Sequence, residues 1–331
     1  MKILHIVPEF EEGGVERYVL QLCEYQINNG HEVTLASAGG KLEKFLPDEV
    51  KFLRLPVQRK NIFTGIYSAI KLSKIKNWDI IHAHSRVPAW IAWITSSITK
   101  IKWIMTAHAP YSLNFGIKPL IHAYGVICVS ESVQHSLENY LPSNTVTIPN
   151  GIKSPKFLWE KKYFPDNKKF LYVGYLAKRK GLDTALKALG ELKNLEWTLD
   201  ILGDGSQREE LEILVNELGI NDRVKFYGFR DDAEKFMSMA ACLLFPSHQE
   251  GLPLTVNEAL AVGLPVLASD IEPLRPLAKG NLIPVGDVEA WKEAIKNVIE
   301  GKPASPLSSE KLITFEETAK RVEDFYRRIL S

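Results

Sequence analysis

The chain has 331 residues, of which 45% are hydrophobic and 24% charged, with a formal net charge of +1. That apolar share is enough for a large core, and the length suggests about two domains. The near-neutral balance and the lack of RNA-module signatures exclude a nucleic-acid partner, and three widely spaced cysteines, Cys23, Cys128 and Cys242, exclude a disulfide framework or a CxxC zinc site.

The amino terminus, MKILHIVPEF, holds too short an apolar run for a signal peptide, and no membrane-length apolar segment follows, so a cytoplasmic protein is expected. Ile3 to Val7 is nearly continuous apolar sequence and predicts a buried parallel strand. Behind it, Val15, Val19, Leu22, Cys23 and Gln26 mark one helix face, Gly30 closes the helix, and Val33 to Ala36 form the next strand. Gly13 and Gly14 allow a ligand to approach the backbone beside the amino end of that helix, where free N–H groups favour anions. A plain tight turn is the alternative. The pattern is neither a Rossmann GxGxxG nor a P-loop.

Short strands follow at Lys51 to Leu55, Asp79 to His82, Lys102 to Ala107, Gly125 to Val129 and Thr145 to Ile148, with helical stretches between most of them. Repeated alternation of β and α predicts a parallel sheet covered on both faces. His82, His84 and His108 fall at or just after strand ends, on the edge where open parallel sheets bind ligands. The HxH pair suggests a metal but lacks a third ligand at a compatible position, and hydrogen bonding to nearby loops is the simpler expectation.

Residues 51 to 118 hold eleven Lys or Arg against the single acidic Asp79, a local charge of +10 hidden by the near-zero total. Within this window Ile62, Phe63, Ile66, Tyr67 and Ile70 alternate with Lys71, Lys74 and Lys76 in an amphipathic pattern. One reading is a face for anionic lipid or an anionic acceptor at the inner face of the plasma membrane; the other is a solvated basic face over buried aromatics.

Pro149-Asn150-Gly151 signals a turn, and the polar, proline-punctuated stretch after it marks a domain boundary. The expected division is 1–153 for the first domain, 154–168 for a linker, 169–309 for the second domain and 310–331 for a final charged amphipathic helix. A second alternating series runs through Phe170 to Val173, Trp197 to Leu202, Val224 to Tyr227, Cys242 to Phe245 and Val266 to Ala268. In the segment Pro246 to Ser269, Pro253 suits a first helical position, and Leu254, Glu258, Ala259 and Val262 keep helical spacing until Gly263 and Pro265 stop the helix. Glu250 then lies in the loop at the carboxyl end of a strand, and Glu258 lies in the following helix.

Separated motifs line up in order: GGVER, TAHAP, VSES, IPNG, VGYLAKRKGLD, ILGDGSQREEL, VKFYGFRDD and PSHQEGLPLTVNEALAVGLPVLAS. In sequence and spacing they resemble retaining GT-B glycosyltransferases of the family 4 type, over nearly the full length, and the last contains the family's E-x7-E pair as Glu250 and Glu258. The resemblance implies two doubly wound Rossmann-like α/β domains facing across a cleft, with the final helix crossing back to the first. It implies sugar transfer from a nucleoside diphosphate sugar, UDP-linked by preference, to a saccharide or glycolipid acceptor by front-face attack, with no metal or other cofactor. Lys180, Glu250 and His108 would form the catalytic set.

Donor binding would fall to Gly13 and Gly14, to Tyr175 and Lys180, to Gly203 and Gly205, to Phe229 and Arg230 at the base, and to Glu250, Gly251, Leu252, Leu254, Thr255 and Glu258. Asp231-Asp232 matches a helix amino-terminal pair rather than a metal motif. One position departs from the family: Tyr175 stands where an arginine usually pairs with the lysine on the phosphates, and a tyrosine offers no fixed charge. Compensation by Lys178 or Arg179 is expected. A GT-B epimerase, or a catalytically silent nucleotide-sugar-binding homologue, is the alternative.

Overall fold

The computed structural model describes residues 1–331 except 12, 59–60, 76, 112–114, 154, 157, 160–167, 252, 303–306, 308 and 310–311. From the amino terminus the chain runs β1 (Lys2–Ile6), α1 (Gly14–Asn28), β2 (Glu32–Ser37), β3 (Lys51–Arg54), α2 (Ile62–Ser73), β4 (Ile80–His84), α3 (Arg86–Thr99), β5 (Lys102–Ala107), β6 (Gly125–Cys128), α4 (Glu131–Leu137) and β7 (Thr145–Thr147). It continues through β8 (Lys169–Val173), α5 (Leu182–Glu191), β9 (Thr198–Leu202), α6 (Arg208–Glu217), β10 (Val224–Gly228), α7 (Ala233–Met239), β11 (Cys242–Phe245), α8 (Leu254–Val262), β12 (Val266–Ala268), α9 (Val288–Ile299) and α10 (Phe315–Leu330).

Two parallel sheets result, ordered β3-β2-β1-β4-β5-β6-β7 and β10-β9-β8-β11-β12. Their strands are the continuous apolar runs of the sequence, as both faces of such a sheet are covered by helices. Successive residues of β8 show the period of two: Phe170 and Tyr172 enter the core beneath α5 and α9, while Leu171 enters the opposite core with Val256 and Leu260 of α8.

The described residues divide into two compact units, Met1–Gly151 with Ile313–Ser331, and Ile152–Leu312. The expected linker falls largely on residues outside those described. The final helix begins at Phe315 rather than Glu310, because the Thr314 side chain accepts the Glu317 N–H at 3.1 Å and caps it there. Glu310 itself lies outside the described residues. Phe315, Ala319, Val322, Phe325, Tyr326 and Ile329 of α10 share one core with Ile3, Val7, Ile80, Ile104 and Ile127 of the first sheet and with Val19 and Leu22 of α1. Thr318 fastens the helix further, its hydroxyl donating to the Pro149 carbonyl at 2.7 Å and accepting the Gly151 N–H at 2.8 Å.

Phe325→Ala removes a buried ring from this shared core and is expected to cost about 3–5 kcal/mol. The check is equilibrium urea unfolding of the full chain; an unchanged midpoint would show that α10 is not part of the cooperative core of its unit.

Candidate active site

In the second sheet, β8 and β11 are neighbours whose connections leave in opposite directions along the strand order. That reversal opens a crevice at their carboxyl ends, where open α/β sheets bind ligands. The loop after β8 ends in a single 3-10 turn, Lys178–Lys180, followed by Gly181 at φ 62°. A Cβ on Gly181 would lie 2.2 Å from the Pro246 carbonyl oxygen, so glycine lets this loop rest directly on the loop after β11. The His248 N–H donates to the Arg179 carbonyl across the same seam at 2.9 Å.

This contact delivers the charged groups to one another. Lys180 Nζ lies 2.6 Å from Glu250 Oε1, Arg179 Nη1 lies 3.6 Å from Glu250 Oε2, and Ser247 Oγ donates to Oε1 at 2.8 Å. The Lys180 and Glu250 side chains are only 16% and 8% exposed, so each holds the other in place, and loss of either strands a largely desolvated partner. Nearby, a Cβ on Gly203, at φ 139°, would lie 1.9 Å from the Gly174 carbonyl oxygen, and one on Gly205 2.3 Å from that of Leu176. These glycines let the turn after β9 press on the loop carrying Tyr175, whose side chain is 57% exposed.

The remaining residues of this edge are spread around it. Phe229 and Arg230 follow β10, with Arg230 forked onto Asp232 by two bonds of 2.7 Å. Gly251 is buried, Leu252 lies outside the described residues, and Leu254 and Thr255 open α8, whose N-cap is Pro253 and has no side-chain cap. Glu258 is half-buried one turn into α8.

In the first sheet the same reversal falls between β1 and β4. Gly13 is the N-cap of α1 and Gly14 its first residue. The Glu16 carboxyl folds back so far that a Cβ on Gly13 would meet its Oε2 at 2.1 Å. Burial, with the charges of Glu9 and Glu11 nearby, pushes Glu16 up to about 7. Deeper in, Gln26 Oε1 meets His5 Nε2 at 2.8 Å, His5 Nδ1 meets His84 Nε2 at 3.0 Å, and His84 Nδ1 meets His108 Nε2 at 3.2 Å. His82 is held between Tyr326 Oη at 2.6 Å and Thr106 Oγ1 at 2.7 Å. Desolvation keeps all four rings neutral: His5 is lowered to about 4, His108 to about 3, and His82 and His84 fall well below the usual range. Directly after His84, Ser85 sits at φ 121°, a backbone conformation that costs a non-glycine residue roughly 1–3 kcal/mol and that marks functional edges.

The profile of the glycosyl transferases group 1 family matches residues 154–320, just over half of the chain, and that of glycosyltransferase family 4 matches residues 12–154. The chain belongs to the glycosyl transferases group 1 family. It is similar to the UDP-Gal:alpha-D-GlcNAc-diphosphoundecaprenol alpha-1,3-galactosyltransferase of Escherichia coli, with 24% identity covering 98% of this chain and 95% of that protein. Its fold is similar to that of a glycosyltransferase from Rickettsia africae, at TM-score 0.84 and 23% identity over 100% of this chain and 98% of that one. It is similar as well to Anabaena HepE in complex with UDP and glucose, at TM-score 0.83 and 18% identity over 99% and 100% of the two chains. The two parallel-sheet units of this glycosyltransferase are thus those of the GT-B fold.

Among the residues picked out in the sequence of this glycosyltransferase, Lys180 and Glu250 come together directly, and Gly203 and Gly205 act on the loop of Tyr175 through backbone packing. Arg230 is taken up by Asp232. β4 ends at His84 as expected, whereas His82 lies two residues inside the strand, and both rings are fully buried rather than exposed at the edge. Pro253 precedes the helix instead of opening it. The third histidine that the HxH pair lacked is His5, with ligand atoms of the three rings within 4.8 Å. Each of their six ring nitrogens already has a hydrogen-bond partner, so the cluster is built as a hydrogen-bond network. Ser247, His5, Gln26, Thr106 and Tyr326 were not foreseen; the one signal was a histidine interrupting the apolar run of β1.

The neutral rings have a consequence for stability. Folded pKa values below the unfolded value near 6.5 mean that only the unfolded chain gains protons as the pH falls. Stability is therefore complete above about pH 6.5 and drops below it, by up to about 1.4 kcal/mol per pH unit for each ring. Urea midpoints are expected to hold level from pH 8 to 7 and fall steeply toward pH 5; a flat profile would contradict the neutral cluster.

Proposed function

We propose that this enzyme transfers a sugar from a uridine diphosphate sugar to a saccharide or lipid-linked acceptor, with retention at the anomeric carbon and without a metal. The observation that carries the reading is the Lys180–Glu250 pair at the β8/β11 reversal. As the bond from the anomeric carbon to the diphosphate oxygen breaks, negative charge grows on the leaving group, and a fixed ammonium stabilises it. The acceptor oxygen bonds to that carbon on the same face, and its proton passes to the departing phosphate oxygen. Glu250, beside Lys180, faces the sugar, Glu258 takes the ribose hydroxyls, and the first amides of α8 assist at the phosphates. Arg179 at 3.6 Å from Glu250 supplies the second charge that Tyr175 does not.

The donor and acceptor classes follow those of the Escherichia coli relative, whose name gives UDP-Gal and a diphosphoundecaprenol acceptor, and the UDP and glucose bound to HepE. Metal independence is favoured by the engagement of Asp232 with Arg230, which leaves Asp231-Asp232 ill suited to an ion. A membrane-borne acceptor agrees with α2, where Ile62 and Phe63 are 71% and 78% exposed and Ile66, Tyr67 and Ile70 extend the same outward stripe beside Lys71. Only the opposite side of α2, with Ala69 and Leu72, is buried. No helix among the described residues is long and apolar enough to cross a membrane.

Incubation with UDP, GDP and ADP sugars in EDTA, read by mass spectrometry and NMR, tests the reaction. Free UDP with an α-configured product is expected; an altered nucleotide sugar would indicate an epimerase, and rescue only by magnesium or manganese would overturn the metal-free reading. Lys180→Ala is expected to lower kcat/KM by more than about tenfold, and a smaller loss would remove its charge-stabilising role. Phe63→Asp is expected to abolish cosedimentation with phosphatidylglycerol vesicles at low salt, while absence of binding by the unaltered protein would exclude the membrane surface.

A further inference from the structure

On the face of the first sheet covered by α1 and α10, the central strands change character along their length. Ile3, Ile80 and Ile104 begin that face, and His5, His82, His84 and Thr106 finish it, all fully buried. The register pairs His5 with His82 and His84 with Thr106. Gln26, His5, His84 and His108 then form one line of hydrogen bonds from the interior to the carboxyl edge.

A neutral imidazole carries one N–H and one lone pair, so a direction chosen at one end of such a line propagates to the other. Tyr326 sets the direction. Its hydroxyl lies 2.6 Å from His82 Nδ1, a separation that suits an O–H donor better than an imidazole N–H donor. With its hydrogen committed to His82, the phenol oxygen accepts from Gln26 Nε2 at 3.4 Å, which turns Gln26 Oε1 toward His5. In that arrangement His5 and His84 would each donate from Nε2 and accept at Nδ1, and His108 would donate from Nε2. The last lone pair in the line would belong to His108 Nδ1, a buried nitrogen with no hydrogen-bond partner among the described residues.

We propose that Gln26, His5 and His84 are positioning residues that fix His108 as its Nε2–H tautomer, so that the Nδ1 lone pair accepts a hydrogen bond from a hydroxyl of the bound sugar. The identity of that hydroxyl rests on the sugar-transfer reading, whereas the tautomer does not. An acceptor fixed in this way discriminates against a substrate without the O–H, because the nitrogen is then left buried and unpaired.

Histidine-selective 15N labelling of the full chain, with the His108 signals assigned by their loss in His108→Gln, reads the tautomer directly. A pyridine-type Nδ1 and a pyrrole-type Nε2 are expected; the reverse pattern, or averaging of the two, overturns the relay whatever the substrate. Kinetics with UDP-glucose and its monodeoxy analogues tests positioning. Gln26→Leu is expected to lower kcat/KM about fivefold to tenfold for UDP-glucose, the size of one neutral hydrogen bond, but not for the analogue lacking the hydroxyl read by His108. Equal losses for every analogue overturn the positioning role. Should Gln26→Leu fail to fold, the tautomer of the unaltered protein still decides. Absence of transfer from any donor, with the expected tautomer in place, overturns the transfer reading and the sugar hydroxyl together and leaves the fixed tautomer standing.

Discussion

In each sheet, one pair of neighbouring strands sends its connections to opposite sides, and the Lys180–Glu250 pair and the histidine line sit at those two reversals. Between β8 and β11 the crevice is lined by two loops brought into contact by a glycine, and that contact creates the Lys180–Glu250 pair. Between β1 and β4 it is floored by histidines of the strands themselves. The two edges solve different problems with the same topology. One brings a shielded ion pair together, and the other arranges neutral rings whose hydrogen-bonding roles depend on their neighbours.

Charge in this chain is organised locally rather than globally. A formal total of +1 conceals a shielded ion pair, a basic window and an apolar stripe on α2. Part of the basic window is structural: Arg54 is forked onto Glu43, and Lys102 donates to the Ile329 carbonyl in the last turn of α10. What remains on α2 sets Lys71 beside outward isoleucine, phenylalanine and tyrosine. Arg179, four residues after Tyr175, reaches the Glu250 carboxylate that Lys180 also holds.

Much of the fold was legible because a parallel sheet buried on both faces writes its strands as unbroken apolar runs. Phe170 to Val173, Cys242 to Phe245 and Val266 to Ala268 fall on β8, β11 and β12 almost residue for residue. Lys180, through the family resemblance, and Glu250, in the loop after a strand, were each picked out separately as candidates. Their pairing was not, because it joins positions 70 residues apart through a backbone contact at Gly181. The histidine line was hidden for a related reason. The spacing of His82 and His84 places both on one face, but the strand order that brings His5 beside them and the helix that brings Tyr326 over them belong to tertiary structure.

The position of α10 imposes an order of assembly during synthesis. Domains usually fold as units, the amino-terminal one first, yet the core of the first unit lacks six buried side chains of α10 until residues 315–330 have been made. The Gln26–Tyr326 contact that orients the histidine line is likewise absent until then. The second unit, whose residues 152–312 are contiguous, can close its core while the first is still incomplete. The half of this protein that is made first is therefore the half whose core is completed last.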